Sequence, residues 1–474
     1  MGVNWLTGVT DAAVPEELPV LAQTQQELRR LLADDGVPLR RLSMALMADP
    51  AMALRVLQRA NAVPHRHFRT DVVMMEDAIQ MLGTQAILQL DAGAKVADMA
   101  LDDVRLASYR RSAGRSVLAA LLALDWAELD RDRFPSEVSL AALLNNLGEL
   151  FLLAHGDARI NRYLELVEMS HVLPHEAEYV SLGQSLEDLG HLLAVQWGLP
   201  EMVREAMRAR NARYPRTLCV MLATQIARDA FADWRHPQQS SDLRLAAALL
   251  NLDLSALMQR VNSVIGVFNR TAVHNDLKPL KLLPQYSSQR ADEREAPLPA
   301  AFCLAPRADD YAACLNALST DALPDREAVL VTVLRGLHHG LGLNRVVFAV
   351  YHPMQRTLTA EFMIGTDFEP SFNRFSLSLD DSAGFFSALL DAPAAIWLDE
   401  GNQDDLLPRI PRSIIELTGI THFFIMSVWV HGAPLGVIYA DRRSESCHLD
   451  ERSYTAFRRL VSQAAERLES LGVT

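Results

Sequence analysis

"AALLNNLGELFLLAHGD" (residues 141–157) sets Leu143, Leu144, Leu147, Leu150 and Phe151 at helical spacing, one face of a buried helix. Two adjacent amides, Asn145 and Asn146, interrupt that face, and an unpaired buried amide costs about 1–3 kcal/mol. Outward from this stretch, apolar residues recur at three and four from Leu18 to about Asn275, with almost no alternation. Asp49 as N-cap with Pro50 behind it opens a helix over 49–62, and Gly83 closes another over 75–83. Further helices are predicted at 105–129, 137–154, 158–170, 174–196, 200–211, 216–233, 241–250 and 254–269. An all-helical bundle follows.

"KLLPQYSSQRADEREAPLPA" (281–300) mixes proline, serine and charge and reads as a linker. Beyond it the period changes. After two helical stretches (309–319 and 324–341), residues 344–365 and 421–443 each give two β-rich runs around a turn, and 450–472 is a terminal helix. The expected fold class is therefore multidomain, α then α/β, with an antiparallel sheet flanked by helices in the second part. The expected division is a helical domain over 1–280, a linker over 281–304 and an α/β domain over 305–474.

The chain has 474 residues and a formal net charge of −14, a balance that disfavours a nucleic-acid backbone or an anionic membrane as partner. The four cysteines (Cys219, Cys303, Cys314, Cys447) form no CxxC pair, so neither a zinc finger nor a disulfide framework is indicated. The first residues lack the pattern of a signal peptide. The runs "VLAALLAL" and "FFIMSVWV" fall far short of the ~20 residues that span a bilayer. A soluble protein of the reducing cytoplasm is expected.

Four stretches of the helical half, "LPVLAQTQQELRRLL", "DPAMALRVLQRAN" with "AIQMLG", "AALLNNLGELFLL" and "LGHLLAVQWGLPEMVREAM", resemble the HDOD domain, a relative of the HD metal-dependent phosphohydrolases. The likeness spans roughly residues 15–275, and Trp197-Gly198-Leu199-Pro200 is its most specific part. The second half, about 305–472, resembles a GAF domain, chiefly in "APLGVIYADRR" and the helix–strand order before it. Together the two resemble bacterial signal-transduction proteins.

The resemblance gives the paired amides a meaning. Catalytic HD enzymes would carry His-Asp where Asn145-Asn146 stand, because an imidazole and a carboxylate hold the divalent metal that activates water. An amide cannot supply the carboxylate's charge. The family's other histidines fall on Arg111, Leu186 and the pair Arg210-Asn211, and a guanidinium repels a cation. His171, His175 and His191 do not restore the spacing. A vestigial site with no metal, no cofactor and no catalysis is expected. The amides are then either hydrogen-bonded packing residues or, with Arg111 and Arg210, part of a small-molecule site. The alternative is a phosphohydrolase or phosphodiesterase with atypical metal ligands.

Other candidates are weaker. His65 and His67 in "PHRHF" read as surface-exposed, the pair His338-His339 as solvated or a partner of a helix C-terminal dipole, and Asn61 as a helix-end or buried structural amide. There is no P-loop and no GxSxG elbow. Cys314 and Cys447 are poorly placed to attach a chromophore, and the NKFDE signature of cyclic-nucleotide-binding GAF domains is missing. Phe348, Phe362, Phe385, Phe386, Trp397 and Phe424 supply either a ligand pocket or an ordinary core. In the terminal helix Tyr454, Phe457, Val461, Leu468 and Leu471 lie on one seam, which either docks on the sheet or pairs with a second copy in a homodimer. The expected function is a non-catalytic signalling protein, its helical domain a platform for protein partners and its second domain a ligand-sensing or dimerisation module.

Overall fold

The computed structural model describes residues 10, 13–34, 36–62, 71–155, 158–169, 172–234, 239–272, 277–284, 303–320, 322–366, 369–379, 384–443 and 447–472. His65, His67 and most of the expected linker lie outside them. The chain divides into two compact units, Met1–Met169 with Ser181–Ala296 and Ser170–Val180 with Pro297–Thr474. A split at the linker alone leaves 170–180 with the helical half. By contact that segment belongs to the second unit, because Tyr179 and Glu176 find their partners there.

The first unit is helical. Helix α1 (Pro50–Asn61) begins as its sequence predicts, with buried Asp49 accepting from the amides of Ala51 at 2.9 Å and Met52 at 3.2 Å. The other Asp49 oxygen accepts from Leu21 N at 2.7 Å, so one carboxylate caps a helix and pins the preceding chain. The long helix α2 (Asp103–Leu129) packs against α3 (Pro135–Leu144) and α4 (Leu147–His155). The expected single helix over 137–154 is two, broken at Asn145-Asn146. Apolar periodicity runs unbroken across that break, which is why it does not reveal it. Residues Pro135–His155, with a mean hydropathy of 1.3, form the one stretch among the described residues long and apolar enough to cross a membrane. That stretch is 89% buried inside the protein, as a core segment is.

The stretch 174–196 likewise forms two helices, α5 (Pro174–Ser181) and α6 (Leu186–Gln196). Gly183 at φ 72° turns the chain between them, and Ser185 caps α6 through the amides of Glu187 and Asp188. Helix α7 (Pro215–Phe231) packs on both α2 and α3. Glycine is demanded at Gly148, where a Cβ would lie 2.2 Å from Leu186 O and 2.9 Å from Gly190 N. Helices α4 and α6 meet backbone to backbone there.

The second unit holds a six-stranded antiparallel sheet of strands β1 (Arg345–His352), β2 (Thr357–Ile364), β3 (Ser376–Ser378), β4 (Ala395–Leu398), β5 (Phe423–Val430) and β6 (Ala433–Asp441). Their order is β3-β2-β1-β6-β5-β4. The two expected β pairs are the β1–β2 and β5–β6 hairpins, the latter closing tightly with Val430 opposite Ala433. One face packs on α8 (Ala308–Ser319), α9 (Arg326–Arg335) and the terminal helix α12 (Glu451–Ser470). The other is covered by α10 (Phe385–Asp391) and the helix α11 (Arg412–Thr418).

The terminal seam is used inside the unit. Phe457, Val461 and Leu468 are fully buried against the sheet, with Tyr454 and Leu471 packed at its margin. The seam thus docks on the sheet, the first of the two expected uses of these five residues. Cys303 and Cys447 form a disulfide with Cα atoms 5.4 Å apart, which corrects the expectation of none. The two are 144 positions apart, and only the fold brings them together. Cys314 is a buried free thiol in α8, pushed up to about 11 by burial.

Candidate functional site

In the helical unit the break between α3 and α4 turns both amides toward tertiary partners. Asn145 Nδ2 donates to Ala206 O at 3.3 Å and Asn146 Nδ2 to Ser116 Oγ on α2 at 3.3 Å. The decisive contact is the other end of Asn146: its Oδ1 accepts from Arg228 Nη2 of α7 at 2.9 Å. One turn on, buried Glu149 accepts from Ser112 Oγ at 2.8 Å and Arg115 Nη2 at 2.5 Å. Burial pushes the Glu149 carboxyl up, but the charges of Arg115 and Arg228 and the Ser112 hydrogen bond outweigh it and hold it below the usual range. Burial lowers Arg228, with Arg115 adding to the effect. Beside them burial raises Asp229 to about 7.

This arrangement does not fit a metal. A divalent ion needs anionic or neutral donors with free lone pairs. Here the amide oxygen and the carboxylate both face guanidinium groups, which supply the positive charge a metal would. No group of three or more metal-ligating side chains occurs among the described residues.

The six positions singled out by the resemblance do not form one site. Asn146 stands in the cluster. Asn145 holds the Ala206 carbonyl, and Arg111 is exposed, donating to Phe231 O at 2.7 Å. Leu186 is core, with its carbonyl against Gly148. Arg210 is half-buried, and Asn211 donates to the Glu205 backbone and carboxylate at 2.9 and 2.7 Å. Alignment by type misses Ser112, Arg115, Glu149 and Arg228. Their signal is spacing: Ser112 and Arg115 are three apart on α2, as Asn146 and Glu149 are along 146–149.

In the second unit a small cavity of about 20 Å³, room for about one water, lies on the sheet face under α10 and α11. The strands contribute Val347, Ala349, Phe423 and Val437, and the covering segments Phe372, Phe386 and Ile414. Of the six aromatic candidates, Phe386 lines it, and Phe348, Phe362, Phe385, Trp397 and Phe424 do not. Phe348 and Phe424 are buried on the opposite face, where Phe362 and Trp397 pack against the same cluster, and Phe385 packs behind Phe386. Neighbouring strand residues face opposite ways, so choosing Phe424 over Phe423 selects the wrong layer.

Beside the cavity lies a second buried ion cluster. Arg345, 1% exposed, donates through Nε to both Asp441 oxygens at 3.1 and 3.0 Å, through Nη1 to Glu369 at 3.1 Å and through Nη2 to Thr418 O at 2.6 Å. Arg443 pairs with Glu369 and donates to Gly365 O at 2.5 Å. Helix α5 docks nearby. Glu176 accepts from Asn344 Nδ2 at 3.0 Å, with Arg443 at 3.9 Å and His175 at 3.9 Å. Tyr179 donates to Ala305 O at 2.8 Å or His339 O at 3.0 Å, under the Arg307 guanidinium at 4.3 Å. Burial raises Glu176 to about 7 and lowers His338 to about 4 and His339 to about 2. The histidine pair, expected in solvent, is buried against the Tyr179 ring.

Over this helical unit the HDOD domain model matches residues 18–213. The chain thus carries an HDOD domain, followed by a unit built on an antiparallel six-stranded sheet. Solved structures similar to parts of the chain include the MmoQ response regulator of Methylococcus capsulatus str. Bath, 25% identical over 51% of this chain and 97% of that one, TM-score 0.39. An HDOD domain protein from Geobacter sulfurreducens is 18% identical, over 54% of this chain and 93% of that one, TM-score 0.32. A GAF domain/HD domain protein from the same organism is 16% identical, over 33% and 99%, TM-score 0.26. No curated protein matches the chain.

Proposed function

We propose that the protein is a non-catalytic signal-transduction protein. Its HDOD domain is a platform for protein partners, and its second unit is a GAF-like module that senses a small ligand. The observation that carries the non-catalytic reading is the 2.9 Å contact between Arg228 and Asn146. A guanidinium bound to the residue that replaces a metal-binding aspartate leaves the position with no affinity for a dication and no means of activating water. The sensing role is supported by the likeness of residues 305–472 to GAF domains, carried by "APLGVIYADRR". The homodimer reading loses support because the terminal seam is occupied.

We further place the protein in the cytoplasm, where the Cys303 and Cys447 thiols would stand reduced. Alkylation on rapid lysis should then label both.

The decisive experiment is metal analysis of full-length protein purified without chelator, alongside assays of phosphoester and cyclic-dinucleotide hydrolysis with added Mn²⁺. No stoichiometric metal and no turnover is the expected result. Bound Fe, Mn or Zn with turnover would establish the phosphohydrolase alternative. Affinity capture of the full chain from native lysate should recover a defined protein partner.

A further inference from the structure

We propose that Cys303 and Cys447 are a reversible thiol–disulfide exchange site, entered by small thiols at Cys303, and that their bond holds helix α5 in its seat. This goes beyond the signalling reading above and does not depend on it.

Position is the first argument. Two lengths of chain grip α5. One runs from Cys303 to Arg307. Its Ala305 O accepts from the Tyr179 hydroxyl at 2.8 Å, and Arg307 Nη2 donates to Tyr179 O at 2.5 Å with the guanidinium 4.3 Å from the ring centre. Buried Leu304 and the Arg307 amide, which donates to His339 O at 3.1 Å, seat this length on the unit. The other length follows β6, where Arg443 lies 3.9 Å from Glu176. The disulfide joins the two, two residues before Ala305 and four after Arg443. A link between positions 144 apart removes freedom that both lengths regain when it opens.

Access is the second argument. Cys303 is exposed and Cys447 is buried, so a thiolate from solvent meets the Cys303 sulfur first. Its attack forms a mixed disulfide on Cys303, breaks the protein S–S bond and releases Cys447, which takes up a proton. A second small thiolate then attacks the small thiol's sulfur in the mixed disulfide. Cys303 leaves, is protonated, and the two small thiols depart as their own disulfide. Two small thiols are oxidised and two cysteines reduced, and glutathione disulfide runs the same steps backwards to close the bond.

Selectivity is the third argument. The other two cysteines, Cys219 in α7 and Cys314 in α8, are buried, and burial pushes their thiols up to about 12 and about 11. Neither supplies a thiolate near neutral pH, so exchange is confined to the pair.

The test equilibrates full-length protein in mixtures of reduced and oxidised glutathione, quenches in acid, alkylates and reads the cysteines by mass spectrometry. Hydrogen exchange is followed over residues 173–180 and over β1. The bond should open and close reversibly as the glutathione ratio changes. Reduction should speed exchange over 173–180 by about tenfold or more and leave β1 unchanged. Glutathione should be trapped on Cys303 in Cys447→Ser, and Cys447 in Cys303→Ser should take up about tenfold less. A bond that stays closed in excess reduced glutathione is a fixed staple, and the exchange site is refuted. Unchanged exchange over 173–180 on reduction, or equal acceleration of β1, refutes the hold on α5. Equal glutathione uptake by the two serine variants refutes Cys303 as the point of entry. The redox comparison uses the parent protein, so it decides the matter even where a serine variant does not fold.

Discussion

The two interiors of this chain treat space in opposite ways. Around Asn146 the helical unit fills the core with charge and cancels it: two guanidinium groups, one carboxylate and two amides, each with a partner. Under α10 and α11 the sheet unit packs rings and branched chains around a cavity of only about 20 Å³, and keeps its charge cluster beside that apolar wall. In the first place the buried polar groups are closed on one another by internal ion pairs. In the second, the ion pairs satisfy the buried charges beside an apolar wall. A buried salt bridge says little about stability by itself; here it says what each site can no longer bind.

That contrast breaks most visibly at Arg345. Replacing it with methionine leaves Asp441 and Glu369 buried without their cation, and Arg345→Met should cost about 3–5 kcal/mol, read as a drop in the urea midpoint of the second unit. An unchanged midpoint would mean the cluster is solvated. In the helical unit the equivalent stress is steric. Gly148→Ala forces a methyl into the Leu186 carbonyl and should cost about 1–3 kcal/mol, measured by thermal denaturation.

The docking of α5 sharpens the comparison through pH. Glu176 holds its proton up to about 7, above its ordinary value of 4.5. Its stabilising contribution is therefore complete below pH 4.5 and lost as pH rises through 7. His338 runs the other way: lowered from 6.5 to about 4, it favours the folded state above 6.5 and costs stability as pH falls toward 4. Glu176→Gln should abolish the alkaline loss, a gain of roughly 1–3 kcal/mol at pH 8.5, while leaving the acid limb in place. A variant with the parent's alkaline limb would show that another group titrates there.

The smallest effect is expected at the amide itself. Asn146→Asp gives Arg228 a carboxylate partner and should change stability by less than about 1 kcal/mol. It should take up no Mn²⁺ in equilibrium dialysis. Stoichiometric uptake would show that one charge suffices to reopen the site.

Much of the architecture was legible. Asp49-Pro50 announced its helix, the 3–4 recurrence announced the bundle, and the runs at 344–365 and 421–443 announced two hairpins. Breaks were harder. Gly183 and Ser185 were a readable stop and start inside 174–196, whereas Asn145-Asn146 interrupts a helix without disturbing its apolar period. The charged residues around Asn146 could have been sought by spacing, but Arg228 arrives from 82 positions away. Phe386 lines the small cavity and Phe424 does not, because Phe423-Phe424 offer a ring to either face of the strand. Parity along a strand is fixed by its neighbours, not by its own composition.

Helix α5 carries one last consequence. The polypeptide leaves the helical unit after Met169, enters the sheet unit for eleven residues, Ser170–Val180, and returns at Ser181. The chain therefore passes between the two units more than once. Cutting the chain between 281 and 304 would strip the C-terminal fragment of Tyr179 and Glu176, exposing the seats they occupy. The pieces made by that cut would not be the bodies that nature folds.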